Sequence, residues 1–295
     1  GKRRSILSTI VIVRPVLLQD SRKTLIINNE TFLMKTTIPA ALVLSASTLL
    51  FNNYVGAQEA QTDPNFAAID AYQCTYRDGK GPDDLMKVAD KWNKWMDKNS
   101  SAPYNAWVMH PVLSSTNMPL DVVWLGAWQN GIDMGKGMQE WADKGQGLNA
   151  EFQAVIDCAE HSLAASVNIR PPAQSWPEKS GVAAFSNCTV GEGNTVQDAM
   201  AVHQAWAKHL DSLNSKAGMW AFFPGAGQSD IGWDYKIVVS HPDYLSYGAD
   251  WDNFTNGQGW RKAMELGSGK VVSCDSPRVY HSVTVRNAGV NPAPK

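Results

Sequence analysis

Few side chains in this sequence have the type and setting to do chemistry. His241 ends the stretch YKIVVSH, where a strand would present an imidazole able to accept or donate a proton near neutral pH. Pro242 follows directly, so a plain turn residue is the alternative. Arg170 and Arg286 close the stretches LAASVNIR and YHSVTVR, and a guanidinium there either clamps an anionic group or makes a salt bridge. Tyr72, Trp107, Trp124 and Trp128 supply large apolar rings with polar edges, suited either to a ligand site or to a dry core. Other chemistries lack their signatures. His203 and His209 are six apart and fall on different helical faces, a poor metal pair. No CxxC spacing occurs, no GxSxG elbow occurs, and the Gly-x-Gly pieces in GEGNTV and GAGQSDIG lack the continuation that cradles phosphate. The expectation is no metal and no cofactor.

The elements that must position these residues come as two copies. YQCTYRDGKGPDDLMKVADKWNKW from Tyr72 matches SNCTVGEGNTVQDAMAVHQAWAKH from Ser186, with Cys74 on Cys188 and Trp92 on Trp206 at one constant offset. Gly-Gln-Gly recurs at Gly145 and Gly257, and CAEHSLAASVNIR aligns with CDSPRVYHSVTVR. Each copy reads as strand, helix, strand, strand, helix, strand. In the first helix Leu85, Val88, Ala89, Trp92 and Met96 recur at helical spacing, with Pro82 and two Asp at its start. The second helical region, near Gly131 to Asp157, is rich in glycine, and Gly145 and Gly147 are expected to break it in two. The expected organisation is a repeat over 62–170, a Pro-rich linker over 171–181, a second repeat over 182–287 and a flexible tail over 288–295.

The βαββαβ order is the ferredoxin-like plan, with strands ordered 4-1-3-2. It sets the last strand of a copy antiparallel beside the first, so the four cysteines are expected to pair as Cys74–Cys158 and Cys188–Cys274, with cross-repeat pairings as the alternative. Each bridge would contribute on the order of 4 kcal/mol in the chain-entropy view.

MKTTIPAALVLSASTLLFNNYVGA, residues 34–57, reads as a signal peptide: a short basic start, an apolar stretch too short to span a bilayer and a small-residue cleavage site. Residues 1–33 read as an upstream extension outside the fold. Residues 1–57 carry seven of the 26 Lys/Arg and two of the 28 Asp/Glu, so without them the formal charge moves from −2 to −7. That argues against nucleic acid and anionic membranes as partners. An even cysteine count in an exported chain favours disulfides, and the expected location is secreted or periplasmic.

A ferredoxin-like unit covers one face of its sheet with helices and leaves the other bare, so two linked copies can hide each other's bare face. In this the chain resembles the dimeric α+β barrel superfamily, a fold shared by antibiotic-biosynthesis-type monooxygenases, chlorite dismutases and dye-decolourising peroxidases. The expected fold class is α+β, a fused pseudo-dimer. Strand alternation then puts Ser166, Asn168 and Arg170 on the barrel side, with Ser282, Thr284 and Arg286 matching them. Trp124 and Trp128 are set on the same side, answered by Ile237 and His241 in the second copy, and joined by Asp70, Tyr72, Trp107 and Met109. The functional expectation is a small apolar or aromatic ligand in the chamber between the repeats, or a purely structural role. The alternatives are a cofactor-independent monooxygenase using His241, and a haem protein with His241 or His281 as axial ligand, as the peroxidase branch of the resembled fold implies.

Overall fold

A computed structural model describes residues 66–115, 118–172, 180–228 and 231–290. The expected signal peptide and upstream extension, and most of the expected linker, lie outside these residues.

The first half runs β1 (Ala67–Tyr76), α1 (Pro82–Asn99), β2 (Tyr104–Leu113), β3 (Val122–Trp128), α2 (Gly131–Lys144), α3 (Gln146–Gln153) and β4 (Ile156–Arg170). The second runs β5 (Ser180–Val190), α4 (Val196–Ser212), β6 (Gly218–Ala226), β7 (Tyr235–His241), α5 (Tyr244–Thr255), α6 (Gly259–Leu266), β8 (Val272–Cys274) and β9 (Arg278–Arg286). The first half's strands lie in the order β4-β1-β3-β2 and the second's in the order β9-β5-β7-β6. β4 pairs with β6 and β2 with β9, all antiparallel, so the eight long strands close into one barrel. Closure leaves no exposed sheet edge among them.

Both halves start their first helix by local rules. Pro82 fits the first turn of α1, where its missing N–H has no acceptor to lose. α4 carries a capping box, with the Thr195 hydroxyl and Asp198 carboxylate satisfying each other's backbone N–H groups. The stripe Leu85, Val88, Ala89, Trp92 and Met96 is the buried face of α1. Burial of such a side chain contributes about 1.5–3 kcal/mol. The recurrent Gly-Gln-Gly marks the same event twice, a break between two helices: Gly145 ends α2, and Gln258, in the left-handed region at φ 60°, separates α5 from α6. The second helical region of each half is therefore two helices.

Cys74 lies opposite Cys158 in the β1–β4 ladder and Cys188 opposite Cys274 in β5–β8, and both pairs are disulfide-bonded. The halves also exchange charges. Arg170 at the end of β4 donates to Asp211 on α4 at 2.8 Å, and Arg286 at the end of β9 donates to Asp97 on α1 at 2.7 Å. Residues 288–290, expected to begin a flexible tail, are instead held down. The buried Asn105 side chain accepts from the Ala288 N–H and donates to the Val290 carbonyl, and Val290 joins the core inside the barrel.

Candidate ligand cavity in the first half

Every residue of β3 is buried, because helices cover one of its faces and the barrel closes over the other. Val123, Leu125 and Ala127 point into the barrel with Ile69, Met109 and Val238. Val122, Trp124 and Trp128 point the other way, under α1, with Tyr72 beside them. This corrects the expectation that Tyr72, Trp124 and Trp128 line the chamber between the sheets. A strand apolar on both faces gives no alternation to fix its phase, and the bulky rings belong where helices stand off the sheet. Trp107 and Met109 do pack with the interior set. Asn168 lies opposite Trp220 in the β4–β6 ladder, half-buried, and lines neither cavity described below. The interior itself retains a space of about 90 Å³ toward one end, beside Phe222 and Tyr280. That is well short of the roughly 300–1,000 Å³ of a small-molecule site.

A space of that size exists elsewhere. A cavity of about 670 Å³ opens between the sheet of the first half and its helices α1, α2 and α3, walled by Trp92, Trp95, Trp124, Trp128 and Trp141. The rings stand edge to face: Trp92 on Trp124 at 4.9 Å between centroids, Trp95 on Trp141 at 5.1 Å and Trp124 on Phe152 at 5.5 Å. Such pairs hold each other in orientation and add about 0.5–1.5 kcal/mol each beyond area burial. Gly137 on α2 admits the Trp128 indole, since a Cβ there would overlap the ring.

One carboxyl is sunk among these rings. Asp70 of β1 faces Gly126 of β3, and Tyr104 reaches over that glycine from β2 to donate its hydroxyl to Asp70 at 2.9 Å. A Cβ at position 126 would overlap both the hydroxyl and the carboxylate. The Trp124 N–H donates in turn to the Tyr104 oxygen at 3.3 Å. Burial raises the Asp70 pKa to about 6 although the Tyr104 hydrogen bond opposes it. Burial and the nearby Asp70 charge hold both the Tyr104 and Tyr72 phenols well above their usual range. At the rim, His161 lies flat on Tyr72 at 3.7 Å, and Arg77 is tied to Asp157 at 3.6 Å and to the Gln153 carbonyl. The Trp128 Nε1 is buried without a hydrogen-bond partner.

The remaining expected site residues lie apart from this cavity. His241 is buried on the helix side of the second half, its Nε2 3.1 Å from Asp250 and its Nδ1 unpartnered. Asp250 also accepts from Ser215 at 2.5 Å. Burial would raise the Asp250 pKa, but the bonds from His241 and Ser215 outweigh it and hold the carboxyl below its usual value. Arg170 does not face the barrel, because a bulge between Asn168 and Arg170 turns it toward Asp211, the Ser215 carbonyl and the Ala217 carbonyl. Arg286 likewise reaches Asp97 and Asn93. His281 is outside the barrel, against Tyr244. Cys188, Cys274 and His203 place ligand-type atoms within 4.8 Å of one another, but both sulfurs are bonded to each other, and His203 Nε2 meets the Tyr235 hydroxyl at 2.8 Å. Sequence reasoning passed over Tyr104, Trp92, Trp141, Gly126 and His161 as site residues. The usable signal was the lone acid in AAIDAYQC, an ionisable group inside an apolar strand.

No protein-family model matches this chain, and no curated protein matches its sequence. Solved structures do. A monooxygenase-like protein of Lactobacillus acidophilus NCFM superposes with a TM-score of 0.50 at 9% identity, over 75% of this chain and 95% of that one. An anthrone oxidase-like protein gives 0.49 at 12% identity over 77% and 95%. Chlorite dismutase of Candidatus Nitrospira defluvii, in complex with imidazole, gives 0.42 at 8% identity over 75% and 92%. The fold, an eight-stranded antiparallel closed barrel with helices packed outside it, is shared with the Lactobacillus structure. At such identities the likeness extends to the fold and no further.

Proposed function

We propose that this dimeric α+β barrel protein binds a small, largely aromatic molecule in the cavity of its first half, and that its halves are ferredoxin-like repeats fused into a pseudo-dimer. The observation that carries this reading is a space of about 670 Å³ walled by five tryptophans around one buried carboxyl. A volume of that order, mostly apolar with a few convergent polar groups, is the usual composition of a small-molecule site. The two disulfides support export, since such bonds persist in oxidising compartments. Among the described residues no helix is long and apolar enough to cross a membrane. The test is titration of the protein with 1-naphthol while following tryptophan emission. Saturable quenching that Trp128→Ala weakens at least tenfold supports the site, and linear quenching unchanged in the variant rejects it.

A second reading, a monooxygenase-like enzyme, is favoured by the raised pKa of Asp70, which gives a carboxyl able to take a proton from a bound substrate near neutral pH. His241 does not serve this reading, because it lies in the other half. Oxygen uptake with a phenolic substrate, abolished by Asp70→Asn and unaltered by His241→Ala, would support it. The haem alternative does not fit in the form expected, because neither His241 nor His281 lines the cavity.

A further inference from the structure

We infer that the cavity selects an organic cation, a substituted ammonium group on an apolar or aromatic body, with the ammonium seated against Asp70. The inference rests on the proposal that the cavity is a ligand site and names the class of ligand. Three observations lead to it. First, Asp70 is buried with no cationic partner among the described residues: of the basic residues lining the cavity, Arg77 is already tied to Asp157 and the Gln153 carbonyl, and His161 lies flat on Tyr72 at the rim. Isolated buried carboxylates are costly unless something of opposite charge meets them. Second, the hydroxyl beside it is already engaged. Tyr104 accepts from the Trp124 N–H and donates to Asp70, so the hydroxyl that meets the carboxylate has no proton left to give a ligand. Third, the surrounding surface is aromatic and set edge to face, as at Trp92 with Trp124 and Trp95 with Trp141. Rings at right angles present negative π-faces from more than one direction, the arrangement that holds quaternary ammonium groups.

The test compares phenyltrimethylammonium with tert-butylbenzene, its neutral carbon isostere, and with 4-tert-butylphenol, each titrated into the full chain with tryptophan emission as the readout. The expected result is at least tenfold tighter binding of phenyltrimethylammonium than of tert-butylbenzene, a preference that Asp70→Asn removes while leaving tert-butylbenzene affinity within about threefold. Equal affinity for cation and isostere in the unaltered protein, or tighter binding of the phenol than of the cation, overturns the inference but leaves the aromatic site standing. Binding of none of the three overturns both. The comparison in the unaltered protein decides the matter even if the variant fails to fold.

Discussion

The two halves share a strand order, a disulfide and a first helix with a tryptophan at the matching position, Trp92 and Trp206, yet most of the residues that wall the cavity of the first half have no counterpart in the second. The constant offset that carries Cys74 onto Cys188 carries Asp70 onto Ala184 and Tyr72 onto Ser186, and in the third strand Trp124 is answered by Ile237 and Trp128 by His241. Where Asp70 faces Gly126, Ala184 faces Val239. The second half closes its layer with hydrogen-bonded polar pairs, His203 with the fully buried Tyr235 and His241 with Asp250 and Ser215. The fold therefore does not impose a cavity. It offers a space between sheet and helices, and a few residues decide whether that space stays open: a glycine that lets Tyr104 cross to Asp70, and rings too rigid to collapse.

The comparison can be broken most forcefully at the disulfides. They close loops of 84 and 86 residues, so replacing either pair with alanine should cost about 4 kcal/mol by denaturant unfolding. A loss confined to one half would show that the halves do not share one cooperative transition. Acid should separate the halves next. Asp70, raised to about 6, stabilises the fold when protonated, a contribution complete below its unfolded pKa and lost as pH rises through 6. His203, lowered to about 4 by burial, does the reverse: its contribution is complete above pH 6.5 and lost as pH falls through 4. Each shift corresponds to about 3 kcal/mol, so the two largely cancel between pH 6 and 4. Relative to the unaltered protein, Asp70→Asn should make stability fall more steeply on acidification and His203→Gln should make it fall less. Slopes changing in the same direction for both variants would refute the assignment.

Smaller effects sharpen the contrast at the site itself. Gly126→Ala should cost about 1–3 kcal/mol through overpacking, and ligand quenching should fall at least tenfold as Tyr104 and Asp70 are pushed apart. The exchanged arginines should differ as well. Arg170 is the more buried, with side-chain exposures of 8% against 19%, and it satisfies two backbone carbonyls besides Asp211. Arg170→Ala is expected to cost about 2–4 kcal/mol and Arg286→Ala about 1 kcal/mol. Equal costs would mean that the buried carbonyls contribute nothing.

Much of this plan was legible in the sequence, and the limits have physical causes. The apolar stripe of α1, the strand order and the disulfide partners all follow from spacing and chain order, because these survive without knowledge of the tertiary fold. Facing did not follow wherever a strand is buried on both sides. VVWLGAW offers no polar side to set its phase, and assigning its tryptophans to the barrel interior set Asp70 and Tyr72 there with them. In β4 the small polar residues fixed the phase correctly as far as Asn168, and a bulge then reversed Arg170. Such irregularities leave no periodic trace in the residues around them. The cavity was hidden for a further reason: it is made of residues from two strands and three helices whose meeting depends on Gly126 and Gly137 having no side chain.

Asn105 grips the chain near residue 290 through main-chain groups alone. That grip reads the presence of a peptide and is indifferent to its side chains, apart from the seat filled by Val290. The end of the barrel is thus stoppered by residues 288–290, and a change that removed Val290 would pull the stopper.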